Sequence, residues 1–227
     1  MINKKLDLLF TSWKKEMEKN GHEGFCYDGL IYRGGQEDEL WASAPRKILF
    51  LLKEQNDNDG EDVREWSGSI NGKSPYRNFY NRISAWLYGL THATKAGYLS
   101  ASEAFDAGNQ MKALSSYPYA YVNLKKQTGG AQANDKEILA HAMIYQDFLR
   151  EQLDILGANI VVCCGDVVFQ SAKEVLYGDL EFKQVNDWIW LNKERNLILI
   201  HSFHPAALNK SNEGMYDWMM EKFIEVL

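Results

Sequence analysis

The chain reads as an α/β protein built in three layers, α/β/α, with a mainly parallel four-stranded central sheet. Three observations predict this. Four short apolar runs, Ile48–Leu52, Tyr119–Val122, Ile160–Cys164 and Leu197–Ile200, are too short for helices and dominated by aliphatic and aromatic residues. Segments with apolar residues at helical spacing lie between them, an alternation that predicts parallel strands covered on both faces. Each run also ends abruptly in polar residues, as strands do at the carboxyl edge of an open sheet, where ligands bind.

Taken in order, residues 3–19 form an amphipathic helix with Leu6, Leu9, Phe10, Trp13 and Met17 on one face and Gly21 as its stop. Residues 25–32 read as a short hairpin around Asp28-Gly29. This helix and hairpin, residues 1–45, form an extension expected to pack outside the central sheet. The first central strand gives way to a polar loop, Lys53-Glu54-Gln55-Asn56-Asp57 onward, whose length marks it for function. Ser74 as N-cap and Pro75 at the first helical position open a helix that buries Phe79, Ile83, Trp86, Leu87 and Leu90. Ser100 and Glu103 have capping-box spacing, as do Asn134 and Glu137, the latter pair opening a long helix to Leu156. Asp166 caps the helix that carries Val168, Ala172 and Val175. Trp188–Leu191 and the last central strand make a hairpin. A terminal helix presents Met215, Trp218, Met219, Phe223 and Val226 on one face, and Trp13, Trp86 and Trp218 read as core. Without internal repeats, low-complexity tracts or Pro-rich linkers, residues 1–227 are expected to form one domain.

A net charge of −6 argues against a protein that coats nucleic acid by bulk electrostatics, while leaving room for a local basic patch. No apolar run approaches the roughly 18 residues of a membrane span. The opening Met-Ile-Asn-Lys-Lys-Leu-Asp carries charges out of place for a signal peptide. Cys26 and the adjacent Cys163 and Cys164 form neither a disulfide framework nor a metal-ligand spacing. The expectation is a cytoplasmic monomer with no metal and no cofactor.

The four strand ends carry Glu54-Gln55-Asn56-Asp57, Asn123 with Lys125 and Lys126, Gly165-Asp166, and His201 to Pro205. On parallel strands they share one edge and line one pocket. The motifs Leu52-Lys53-Glu54-Gln55-Asn56, Val122-Asn123-Leu124-Lys125-Lys126, Val162-Cys163-Cys164-Gly165 and Phe203-His204-Pro205-Ala206, in that order, resemble those of the uracil-DNA glycosylase superfamily over residues 46–227. The first motif departs from the family pattern. Lys53 stands at the family's Gly and no Pro follows. Gln55 falls where some branches carry a water-activating Asp or Asn, and an amide is not a base. The cysteine ligands of the family's iron–sulfur branches are absent.

The resemblance implies an N-glycosylase-like hydrolase acting on a base flipped out of DNA, or recognising a free base, at the carboxyl edge of the sheet. His204 would donate to the departing base, Asn123 would read its edge with Gln55 and Asn56 as further amides, and Asp57 or Glu54 would place water. Trp66, Tyr76 and Phe79 are the aromatic residues available for stacking. Lys125 and Lys126, with Lys73 and Arg77, would contact phosphates. The plainer reading of Glu54 and Asp57 is a solvated loop, and His201 reads as structural. Two alternatives stand beside the enzyme: a catalytically inactive relative that binds nucleic acid or a nucleotide, suggested by Gln55, and an unrelated mononucleotide-binding α/β protein.

Overall fold

A computed structural model of the chain describes residues 1–56, 62–65, 69–70, 74–75, 77–130, 132–208 and 210–227. Helix α1 (Ile2–Lys19) is followed by strand β1 (Gly29–Leu30), α2 (Glu37–Ser43), β2 (Ile48–Leu52), β3 (Gln55–Asn56), β4 (Ser69–Ile70) and β5 (Ser74–Pro75). Next come α3 (Arg77–His92), α4 (Ala101–Ala104), α5 (Ala107–Ser116), β6 (Tyr119–Asn123) and β7 (Thr128–Gly129). The chain continues through α6 (Asp135–Ile144), α7 (Gln146–Leu156), β8 (Ile160–Cys164), α8 (Asp166–Gln170), β9 (Lys183–Gln184), β10 (Ile189–Asn192), β11 (Leu197–Ser202) and α9 (Asn212–Ile224).

The main sheet has seven strands in the order β1-β6-β2-β8-β11-β10-β9. Its middle, β6-β2-β8-β11, is parallel and comprises the four strands expected from sequence. The expected four-stranded sheet is therefore extended at both ends by antiparallel pairing, β1 on β6 and β10 with β9 beyond β11. The N-terminal segment is not outside the sheet. Gly29 and Leu30 pair with Tyr121 and Ala120, and Tyr27 bridges to Asp62, so no hairpin forms at Asp28-Gly29.

Alternation along the parallel strands divides the core. Leu49, Leu51, Val122, Val161 and Cys163 pack against α1, α6, α7 and α8 through Phe10, Trp13, Ile138, Leu149 and Val168. Ile48, Phe50, Tyr121, Val162 and Ile200 pack against α3, α5 and α9 through Ile83, Trp86, Leu114, Met215 and Met219. Helices thus cover both faces.

Other local expectations are corrected. Ser74 and Pro75 pair with Ile70 and Ser69 in a small antiparallel ladder, and α3 opens at Arg77. The capping box at Ser100 and Glu103 forms as expected. The long helix from Asn134 breaks at Tyr145, whose buried ring packs on Trp13 and whose hydroxyl meets His22 Nδ1 at 2.7 Å. Gly165, not Asp166, caps α8, which continues as a π-turn through Leu176. Trp13 and Trp86 are core, whereas Trp218 is 38% exposed. Among the described residues no helix is long and apolar enough to cross a membrane.

Candidate functional site

The last parallel strand delivers the His204 loop, and one guanidinium holds that loop in place. Arg82 of α3 donates from Nη1 to the carbonyls of Pro205 (2.9 Å) and Ala207 (2.5 Å), and from Nη2 to that of Lys210 (3.2 Å). Its Nε donates to the Asn212 side chain at 2.7 Å. Loop carbonyls have no ladder to satisfy them, and five guanidinium donors in a fixed fork meet several at once. Arg82 is buried in the helix stripe read as apolar, and its role was missed in the sequence. A polar residue between Phe79 and Ile83 was the available signal.

Within the loop the Ala206 backbone N–H donates to His204 Nδ1 at 3.1 Å. Nδ1 is therefore the acceptor, and the neutral ring carries its proton on Nε2. Nε2 has no hydrogen-bond partner among the described residues. Burial, reinforced by the Lys53 and Arg82 cations and opposed by Asp135, holds the ring's pKa down to about 4. The Phe79 ring centroid is 6.2 Å from that of His204 and 6.3 Å from that of Tyr121. Trp66 and Tyr76 lie outside the described residues, as do Asp57 and Lys73.

A neutral His204 has a measurable consequence. A second ring, His141, is also pushed down to about 4, by burial first and then by His22, 4.5 Å away between centroids, and Lys125. Below the ordinary histidine pKa of about 6.5 the unfolded chain takes up protons that these folded rings refuse, so stability falls as pH drops toward 4. The expected loss by pH 5 is about 2 kcal/mol per ring, read from urea unfolding at pH 7 and pH 5. Nitrogen chemical shifts should show His204 as the Nε2–H tautomer down to pH 5. An imidazolium at pH 6 would refute this.

The first two motifs are zipped together. Leu124 and Lys125 N–H groups donate to the carbonyls of Leu52 and Lys53, both at 3.0 Å, and β3 pairs in parallel with β7. The Glu54 carboxylate packs against Gly129, where a Cβ would lie 1.8 Å from Oε1, so a side chain there would have to displace the carboxylate. Glu54 Oε2 accepts from Lys125 Nζ at 2.8 Å, and Lys125 also faces Glu137 at 3.7 Å. Gln55 is half-buried within the β3–β7 ladder and Asn56 is exposed. Asn123 is buried, with its backbone N–H 2.8 Å and its amide Nδ2 3.3 Å from Asp28 Oδ2.

Lys126 requires a correction. Its ammonium is fully buried, 2.6 and 2.7 Å from the two Asp28 oxygens and over the Trp13 ring, so it cannot reach a phosphate. In a two-lysine strand end, one side chain turned inward. His201 is likewise engaged, stacked on Phe169 and 2.8 Å from Asp166 Oδ1.

Three of the four strand ends approach one another. A Cβ placed on Gly165, whose φ of +114° favours glycine, would lie 3.6 Å from Lys53 Cε and 4.0 Å from His204 Cβ. The Uracil DNA glycosylase superfamily model matches residues 76–227, two thirds of the chain. The chain belongs to that superfamily. No curated protein matches it. Membership in the superfamily supports a DNA glycosylase-like function in general and removes the reading as an unrelated mononucleotide-binding protein. The superfamily match contains the Asn123, Gly165 and His204 strand ends and begins after the divergent Lys53–Asn56 motif. A cleft of about 300 Å³ is lined by Asp135, Lys136, Leu139, Asp166, Val167 and Gln170, and neither His204 nor Asn123 lines it. Among the described residues no group of three or more His, Cys, Asp or Glu could hold a metal ion.

Proposed function

We propose that this superfamily member is a DNA N-glycosylase that takes a flipped base between Phe79 and the His204 loop and breaks its bond to deoxyribose. One observation carries the reading, the Ala206 N–H bond to His204 Nδ1. It leaves Nε2–H as a neutral donor for the negative charge that grows on a carbonyl oxygen of the departing base. Asn123, braced by Asp28, reads the base edge, and Phe79 stacks on its face. Leu208 is 90% exposed on the His204 loop, an apolar side chain suited to wedge into the gap that the base leaves. Because Lys125 holds Glu54, water placement falls to Asp57 with the amides Gln55 and Asn56. Phosphate contacts fall to the exposed Arg77 and Lys210 rather than to Lys126.

Single- and double-stranded oligonucleotides carrying uracil, hypoxanthine or xanthine test this directly. At least one should yield an alkali-labile abasic site. Folded protein that releases none of the three bases would sink the enzymatic reading. The Glu54–Lys125 pair favours a second reading, a superfamily relative that binds without cleaving. It requires retention of the same oligonucleotides at low salt with no abasic product.

A further inference from the structure

We infer that Lys53 sets the substrate class of this site, admitting neutral bases that depart as anions and turning away cationic N-alkylated bases. The inference rests on the glycosylase reading above and deepens it. Lys53 leaves β2 as its first residue beyond a wholly buried strand, and it stands where the family's first motif has glycine. Its side chain crosses the end of β8, so that Lys53 Cε and His204 Cβ approach the same point above Gly165, at 3.6 and 4.0 Å. Asp135 Oδ1 holds Nζ in place at 2.6 Å. Its side chain is only 21% exposed, so water screens the charge incompletely.

Among the described residues the charged groups acting on the His204 ring are Lys53 and Arg82 against Asp135, and Asp135 is already bound to Lys53. The imidazole itself is neutral, so among the described residues the groups acting on it leave the Lys53 and Arg82 cations opposed by one carboxylate. In glycosidic hydrolysis the C1′–N bond breaks and its electron pair leaves with the base. The oxygen of water bonds to C1′ and a proton from that water ends on the base. A neutral base such as uracil is an anion at the moment of departure, and a fixed ammonium stabilises that state more than the bound substrate. A base alkylated on a ring nitrogen that carries no proton, such as 7-methylguanine, is a cation when bound and departs neutral. The same ammonium repels it on entry and gives its departure nothing.

Single-turnover excision on matched duplexes carrying uracil or 7-methylguanine separates the cases, using wild type, Lys53→Met and Lys53→Arg. Wild type should release uracil and spare 7-methylguanine. Lys53→Met should slow uracil release by roughly tenfold or more, with Lys53→Arg restoring most of it. The His204 pKa should rise toward the ordinary value in Lys53→Met and stay low in Lys53→Arg, a readout that a merely structural lysine would not move. Uracil release indifferent to Lys53→Met, or equal release of 7-methylguanine by wild type, overturns the inference and leaves the glycosylase reading standing. Wild type that releases neither of these bases, nor hypoxanthine or xanthine, overturns both.

Discussion

His204→Ala should slow single-turnover base excision by about 10²–10³-fold, the usual cost of deleting one preorganised donor to a developing anion. The urea midpoint should stay near that of wild type. Among the described residues the imidazole makes one hydrogen bond, accepted from Ala206 N–H, and the loop is anchored independently by Arg82 through Pro205, Ala207 and Lys210. Removing the ring therefore deletes the donor without releasing the loop. His204→Gln, which keeps an N–H of shorter reach, should recover part of the rate. In the binding-only alternative, His204→Ala weakens retention of a base-containing oligonucleotide and there is no rate to lose. An excision rate unchanged in His204→Ala would remove His204 from the chemistry.

How much of this was legible beforehand depended on whether the cause was local. The four parallel strands were legible because a strand buried on both faces is a continuous apolar run, as Ile48–Leu52 is. The flanking strands β1 and β9 are two residues each and carry no period. Their neighbours in the sheet define them. Ser100 and Glu103 cap α4 with each other, a bond three residues long, so the motif predicted it. Ser74-Pro75 looked equally good but was recruited into pairing with Ser69 and Ile70. His204 and Asn123 stood out as short strand-end motifs. Arg82 and Asp28 did not, because their partners lie about a hundred residues away: Arg82 reaches Pro205 and Asn212, and Asp28 reaches Asn123, Lys126 and Gln152. Lys125-Lys126 reads as a solvated pair, and nothing in the dipeptide says that an aspartate from the N-terminal segment waits inside.

That aspartate supplies the largest expected effect on stability. Asp28→Ala should lower the free energy of unfolding by about 3–5 kcal/mol, as breaking one side of a buried ion pair does. Asp28 and Lys126 are both fully buried as side chains. Asp28 Oδ1 also accepts from Gln152 Nε2 at 2.7 Å, and Oδ2 from Asn123 N–H at 2.8 Å. Losing the carboxylate leaves an ammonium with no counter-charge and takes the acceptor from three further donors, Gln152 Nε2, Asn123 N–H and Asn123 Nδ2. Lys126→Met should cost less, because the carboxylate keeps its bonds from Gln152 and Asn123 while methionine fills the space beside Trp13. The double variant Asp28→Asn/Lys126→Met should be more stable than Asp28→Ala, since no uncompensated charge remains. Urea midpoints at constant m-value decide the order. A loss below about 1 kcal/mol for Asp28→Ala would show that water reaches Lys126 and that the pair is not a buried one. The same carboxylate orients the backbone and amide of Asn123, so the N-terminal segment supports the base site as well as the sheet edge. In the double variant, stability returns while Asn123 faces an amide in place of a carboxylate, which separates the contribution to folding from the contribution to base recognition.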